Sequence, residues 1–279
     1  MPNVVPYLIL IVLSICALTI VFLRSKQFVT LVWFLAFAGL IYIFEFIILV
    51  LFQSYTYYPK LIDNAYWDSM FGAFVSNFCA VPVAGITVVT FRLRFRWFIL
   101  LSLFFTGVEW FFITIDIYKH NWWRLPYTTV FLICFFWLSR VWANQTARGS
   151  RLIRYFSLLL FSLSLCDSLA FGMALAGISQ YHIGWFANPT RDDILVRFIF
   201  ILTTSIILST TIYRTNAIRW IIIAIAATLA LQIILLATGI MRIYISLWLF
   251  YPIFIACHCL IAWLLVKSNH ALLQQKRHA

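Results

Sequence analysis

Nine long apolar runs constrain this chain more than any other feature. A run of about 20 apolar residues can cross the hydrocarbon core of a membrane as an α-helix. Because these runs are continuous rather than alternating, they predict an all-α, polytopic integral membrane helix bundle. The predicted spans are Val4–Leu23, Phe28–Phe52, Ser69–Phe91, Trp97–Ile117, Leu125–Ala143, Tyr155–Ile178, Ile194–Tyr213, Trp220–Ile240 and Ile243–Val266.

The composition excludes a water-soluble globule. Apolar and aromatic residues make up 65% of the 279 residues and charged residues only 10%, whereas a soluble domain is about half apolar and about a quarter charged. The connections between the spans are short, which leaves no room for a soluble catalytic or nucleic-acid-binding domain. The lipid bilayer is therefore the predicted partner, and nucleic acid is not.

The basic residues predict the orientation. Of the 20 Lys and Arg residues, 14 fall on one side of the predicted bundle. By the positive-inside rule this side is cytoplasmic, so the N-terminus is predicted outside and the C-terminus inside. The predicted cytoplasmic set is Arg24, Lys26, Arg92, Arg94, Arg96, Arg140, Arg148, Arg151, Arg154, Arg214, Arg219, Lys267, Lys276 and Arg277.

Helices two to five and helices six to nine follow the same order of long and short loops. A shift of 123 positions aligns Trp97 with Trp220 and Glu109 with Gln232. This order predicts two tandem four-helix repeats in the same orientation, within a single membrane domain. The predicted segments are an extra N-terminal helix at 1–27, repeats at 28–143 and 155–266, and a short basic cytoplasmic tail at 267–279.

Three short motifs in the first half carry a resemblance to other membrane proteins. They are Tyr58-Pro59-Lys60, Gly107-Val108-Glu109-Trp110 in helix four, and the segment from Tyr118 to Trp123. The stretch from Phe44 to Trp142 that contains them resembles a family of small, functionally uncharacterised five-helix membrane proteins from endospore-forming bacteria. The resemblance covers helices one to five, and the second half departs from it where Gln232 replaces the helix-four glutamate. It implies a bacterial cytoplasmic membrane and supplies no activity.

Acidic residues inside the predicted spans are the candidates for a site. An ionised carboxylate in hydrocarbon costs several kcal/mol unless it is paired, wetted or protonated. Glu45, Glu109 and Asp167 lie within spans, and Asp116 follows Glu109 by seven residues on the same helix stripe. We predict that these four residues bind a small cation or proton in an outward-facing cavity. The alternative is that each intramembrane acid is a protonated or hydrogen-bonded tie between helices.

Other polar and aromatic residues have simpler interpretations. Arg197 lies four residues after Asp193, which predicts a local ion pair. His258 stands between Cys257 and Cys259, and we interpret it as a packing residue because side chains at i and i+2 point to different helix faces. Aromatic residues near the outer boundary are interpreted as interfacial anchors. These are Tyr55, Tyr57, Tyr58, Tyr66, Trp67, Tyr118, Trp122, Trp123, Tyr181 and Trp185.

No motif predicts an enzyme. The chain has no Gly-rich phosphate loop, no His-Glu-x-x-His and no Gly-x-Ser-x-Gly nucleophile. No catalytic residue, cofactor or metal is therefore predicted. The predicted function is a transporter or ligand-binding permease. The alternative is a non-catalytic membrane sensor or a scaffold for other membrane proteins, with a membrane enzyme as the third choice.

Overall fold

The computed structural model describes residues 2–275 and is almost entirely helical. Within this range nine helices are long and apolar enough to cross a membrane, as the apolar runs predict. Lys276 and Arg277 of the predicted basic tail lie outside the described residues. The helices are α1 Val4–Ser25, α2 Phe28–Leu51, α3 Ala65–Thr90, α4 Phe95–Thr114, α5 Leu125–Ala147, α6 Arg151–Leu175, α7 Pro189–Arg214, α8 Ile218–Ala237 and α9 Leu247–Gln275.

Capping residues move several helix starts away from the predicted ones. The Asn64 side chain accepts hydrogen bonds from the first backbone N–H groups of α3, so this helix starts at Ala65 and not at Ser69. The Asn188 side chain does the same for α7, where proline occupies the first helical position. At the other end, α9 continues through the segment predicted as a tail and reaches Gln275.

Two short antiparallel ribbons are each formed by two strands from different loops between helices. Strand β1, Tyr55–Tyr57, follows α2 and pairs with β2, Tyr118–His120, which follows α4. Strand β3, Ser179–Tyr181, follows α6 and pairs with β4, Met241–Ile243, which follows α8. The apolar runs do not predict these strands. Each ribbon ties together two helix ends that are far apart in sequence.

The chain divides into two compact units, Met1–Arg148 and Gly149–Ala279. The first contains α1 to α5 and the second contains α6 to α9. In the first unit α3 is central and packs against α1, α2 and α5. In the second unit α7 is central and packs against α6, α8 and α9. The boundary between the units falls between the two predicted repeats.

The loops before α3 and α7 donate similar hydrogen bonds to these helices, and the matching residues are 124 positions apart. Asp68 accepts from the N–H groups of residues 60 to 62, and Asp192 accepts from those of residues 183 to 186. Ser69 Oγ accepts from the Tyr57 N–H at 3.1 Å, and Asp193 Oδ1 accepts from the Tyr181 N–H at 2.9 Å.

The offset falls to 123 residues after one short connection. The segment between α3 and α4 is residues 91–94, whereas the segment between α7 and α8 is residues 215–217, one residue shorter. Helices α4 and α8 both have 20 residues. These matches support the predicted duplication, which stays a prediction.

Candidate functional site

A cavity of about 350 Å³ lies inside the first unit. Glu45 of α2 and Glu109 of α4 both line it, together with residues of α1, α3, α5 and the β1–β2 ribbon. The structure therefore brings two of the four predicted site residues to one cavity. In the described part of the chain, no lysine or arginine lines this cavity.

Glu45 is buried at the end of the regular part of α2. It is 9% exposed, and the Tyr55 hydroxyl donates a hydrogen bond of 2.7 Å to its Oε2 atom. Its Oε1 atom is buried and has no hydrogen-bond partner among residues 2–275. The Asn77 side chain of α3 is a further polar neighbour of this carboxyl. Because a carboxylate oxygen can accept more than one hydrogen bond, Oε1 can accept from a ligand even where Asn77 approaches it.

Both helices that carry these two polar groups are locally wound as π-helix. The π segment of α2 is Phe46–Leu51, directly after Glu45. The π segment of α3 is Val75–Ala80 and contains Asn77. Segments of π-helix are rare overall, but those that occur are frequently found at functional sites. They interrupt the regular hydrogen-bond ladder of the helix.

Glu109 is tied to the ribbon at the same end of the helices. Its Oε1 atom lies 2.5 Å from His120 Nε2 on strand β2, and the Tyr118 and Thr128 side chains also hydrogen-bond to it. The Glu109 and His120 side chains are only 10% and 13% exposed. His120 lies outside the predicted spans, and no sequence signal linked it to Glu109.

Aromatic rings form much of the cavity wall. The ring centroids of Tyr57 and Tyr118 lie 4.7 Å apart, and that of Tyr55 lies 5.7 Å from that of Trp123. Tyr55, Tyr118 and Trp123 are 6%, 5% and 4% exposed. The interpretation of these three residues, and of the buried Tyr181, as interfacial anchors is therefore wrong: they pack inside their units.

The phenols of the ribbon stay neutral in this environment. Burial raises the pKa of Tyr55, Tyr57 and Tyr118 well above its usual value, and the nearby Glu45 carboxylate acts in the same direction. A neutral phenol presents the negative face of its ring and a hydroxyl group without adding charge. The phenol hydroxyls can donate to the carboxyl groups, as Tyr55 does to Glu45, and the ring faces attract a cation.

The other two predicted site residues lie elsewhere. Asp116 is exposed after the end of α4, in a left-handed turn with φ 56°, and the lining residues that the structure describes do not include it. The predicted polar track from Asp116 to Glu109 is therefore not formed. Asp167 belongs to α6 in the second unit, where it is partly exposed and lies within electrostatic range of Arg197.

The second unit contains its own cavity, also of about 350 Å³. Arg197 lines it and forms the predicted ion pair with Asp193, at 2.9 Å. Gln232 and His258 line it as well. Cys166 does so too, whereas Asp167 does not appear among its described lining residues.

Among the described residues, no three His, Cys, Asp or Glu side chains cluster as a metal site would require. His258 makes contacts typical of packing. Its Nδ1 atom lies 2.8 Å from the Phe254 carbonyl oxygen, and its ring lies 3.8 Å from the Phe254 ring.

The fold and the cavities define an all-α, multi-pass membrane protein whose first unit encloses an acidic cavity with aromatic walls. Comparison of the chain with protein-family models, with curated proteins and with solved structures found no match. The resemblance to five-helix proteins of endospore-forming bacteria therefore stays a prediction.

Proposed function

We propose that this protein is a membrane permease that binds an organic cation in the cavity of its first unit. The ligand class is a protonated amine or a quaternary ammonium group. The observation that carries the proposal is the meeting of Glu45 and Glu109 in one cavity walled by Tyr55, Tyr57 and Trp123. Aromatic faces and carboxylates together are the usual surroundings of a bound ammonium group.

Size and charge both favour an organic ligand over a bare metal ion. The volume of about 350 Å³ falls within the range of small-molecule sites, about 300–1,000 Å³. A small hard cation prefers a close cage of oxygen atoms, whereas this wall is mostly aromatic and aliphatic. A cation would neutralise the buried Glu45 carboxyl group, which has no lysine or arginine beside it in this cavity; such compensation is what a carboxylate in a membrane requires.

The position of the cavity supports uptake from outside. The β1–β2 ribbon lines one end of the cavity, and under the predicted topology this ribbon lies on the outer side. Transporters often use interrupted helices at a binding site, because irregular backbone can change its hydrogen bonding during transport. The π segments beside Glu45 and Asn77 are interruptions of this kind.

The proposal is tested with Glu109→Gln and Glu45→Gln in proteoliposomes. Choline serves as the cationic probe and 3,3-dimethylbutanol as its neutral counterpart of the same shape. We expect the unsubstituted protein to bind choline and take it up, and each variant to bind it about tenfold more weakly or worse. Glu109→Gln should still fold, because the second unit carries Gln232 at this position.

The exposed acid Asp116 supplies the matched control. Asp116→Asn removes a carboxylate outside the cavity, so choline binding should be unchanged. Equal binding of 3,3-dimethylbutanol and choline, or full choline uptake by Glu109→Gln, would contradict the proposal.

A second candidate, a scaffold for other membrane proteins, is favoured by one observation. The hydrogen bonds of Glu109 to His120, Tyr118 and Thr128 are what a structural tie between a helix and its neighbours would make. In that case the unsubstituted protein binds no choline, and Glu109→Gln is nearly silent because the amide keeps hydrogen bonds with these partners.

A further inference from the structure

The cavity of the second unit stands at the equivalent place within its own unit. Phe131 and Cys134 line the first cavity, and Phe254 and Cys257, which are 123 residues further on, line the second. The wall of the second cavity has a different chemistry. Its residues Gln232, Leu169, Thr204 and His258 occupy the positions that Glu109, Glu45, Ala80 and Phe135 hold in the first unit.

The charge of the second cavity is balanced internally. Arg197 donates to both carboxylate oxygens of Asp193, at 2.9 and 3.2 Å, and to the Ser179 carbonyl oxygen at 2.9 Å. The Arg197 and Asp193 side chains are 7% and 4% exposed. The two charges of this buried ion pair neutralise each other, so the pair does not call for a charged ligand.

Four residues of this wall nevertheless carry buried polar atoms without a partner. Within residues 2–275, Gln232 Oε1, Thr204 Oγ1, His258 Nε2 and Arg197 Nε have no hydrogen bond. All four residues line the cavity. Buried polar groups are normally hydrogen-bonded. A group left unpaired destabilises the folded protein, and a hydrogen bond to a ligand or a water molecule removes this cost.

These atoms include both acceptors and donors. The Phe254 carbonyl can only accept, so His258 Nδ1 donates to it, and Nε2 of the neutral ring is left as an acceptor. Gln232 Oε1 is also an acceptor, Arg197 Nε–H is a donor, and the Thr204 hydroxyl can be either. Around them, Phe200, Phe254 and Ile261 supply apolar surface.

We infer that the second cavity is a binding site for an uncharged ligand that has an apolar body and an amide or hydroxyl group. Such a group both donates and accepts, which matches the mixed set of unpaired atoms. A carboxylate only accepts hydrogen bonds, so it would be repelled by the acceptors Gln232 Oε1 and His258 Nε2. An ammonium group would be repelled by the positively charged Arg197 guanidinium. Both charged alternatives are therefore disfavoured.

The test uses four probes of nearly the same shape on the full chain in lipid nanodiscs, with empty nanodiscs as reference. Benzamide is neutral and both donates and accepts, benzamidinium is a cation, benzoate is an anion, and ethylbenzene has no polar group. We expect saturable benzamide binding by ligand-observed NMR and binding of the other three at least about tenfold weaker. Absence of saturable benzamide binding, or equal binding of ethylbenzene, would overturn the inference.

Two variants place the binding in this cavity. Thr204→Ala and His258→Phe introduce the residues found at the matching positions of the first unit, Ala80 and Phe135. Thr204→Ala removes a hydroxyl that has no partner among the described residues, so we expect the fold to be preserved. Each variant should weaken benzamide binding, and unchanged binding in both would refute the assignment.

The same variants separate this site from the cation site of the first unit. Thr204→Ala should keep choline binding, and Glu45→Gln should keep benzamide binding, because each residue lines only its own cavity. Loss of benzamide binding in Glu45→Gln would place the neutral ligand in the first cavity and refute the inference. Failure of choline to bind would leave the benzamide result unaffected.

Discussion

Asp193 and Arg197 form an ion pair one helical turn apart in α7, where both side chains are almost fully buried. Besides Arg197, the Asp193 carboxylate accepts a hydrogen bond from the Tyr181 N–H group. In the first unit Ser69, a neutral residue, accepts a similar backbone bond, and Ala73 lies 124 residues before Arg197. Both units thus bind a backbone N–H group of the ribbon, one through a neutral side chain and the other through a charged one.

This comparison predicts strong coupling between the two charged residues. Arg197→Ala alone leaves a buried, unpaired carboxylate and should destabilise the protein by about 3–5 kcal/mol. The double variant Asp193→Ser/Arg197→Ala copies the first unit and should recover at least half of that loss. Unfolding of the single and double variants in detergent micelles measures the effect, and a double variant less stable than Arg197→Ala would contradict it.

The acids of the candidate site are predictable from sequence, and their surroundings are not. Glu45 and Glu109 attract attention because each is a charge within an apolar run. The sequence predicts the wrong role for Tyr55 and Trp123, because an aromatic residue near a membrane boundary fits an anchor and a cavity wall equally well. Burial, which distinguishes the two roles, comes from tertiary contacts between elements far apart in sequence.

At the scale of elements, the spans follow from the apolar runs, and their ends follow from caps. The helices capped by Asn64 and Asn188 begin earlier in the sequence than the apolar runs predict. The reason is that capping residues are polar, so a hydropathy pattern does not include them. The β1 and β2 strands are three residues each and pair across more than 60 positions. Segments so short carry too little alternation to be predicted from sequence alone.

The contact between α3 and β1 gives a prediction at this scale. A Cβ atom on Gly72 would lie 2.5 Å from the Cβ atom of Tyr57, so Gly72→Ala must push Tyr57 and its strand away from the helix. We expect a loss of about 1–3 kcal/mol in unfolding free energy, as for overpacked cores, and weaker choline binding, because Tyr57 is part of the cavity wall.

Gly107→Ala is the matched control for this helix substitution. No described atom lies within 4 Å of a Cβ added at Gly107, apart from its own helix backbone and chain neighbours. Alanine is the better helix former, so stability should stay the same or rise by up to about 1 kcal/mol. Comparable losses of stability in Gly72→Ala and Gly107→Ala would show that the contact with Tyr57 is not the cause.

At the scale of the whole molecule, the chain is predicted to have one orientation in the membrane. The distribution of basic residues predicts Arg94, Arg151 and Lys276 on the cytoplasmic side, and Asp63 and Trp185 outside. Arg94, Arg151, Asp63 and Trp185 are exposed, so single cysteines can be introduced there in a background without the six native cysteines. Labelling of intact cells with a membrane-impermeant thiol reagent should modify only positions 63 and 185. Labelling of just one of positions 94 and 151 would refute the nine-span topology.

The pair of Asp193 and Arg197 also restricts how the two halves of the molecule could have diverged. If both halves descend from one ancestral unit, positions 69 and 193 began with the same residue, and so did positions 73 and 197. From a serine and an alanine, either charged residue gained alone would be buried without a counter-charge, so each single step is unfavourable. Once both are present, neither can be lost alone. The pair is then entrenched, and in descendants of this chain the two positions should change together or not at all.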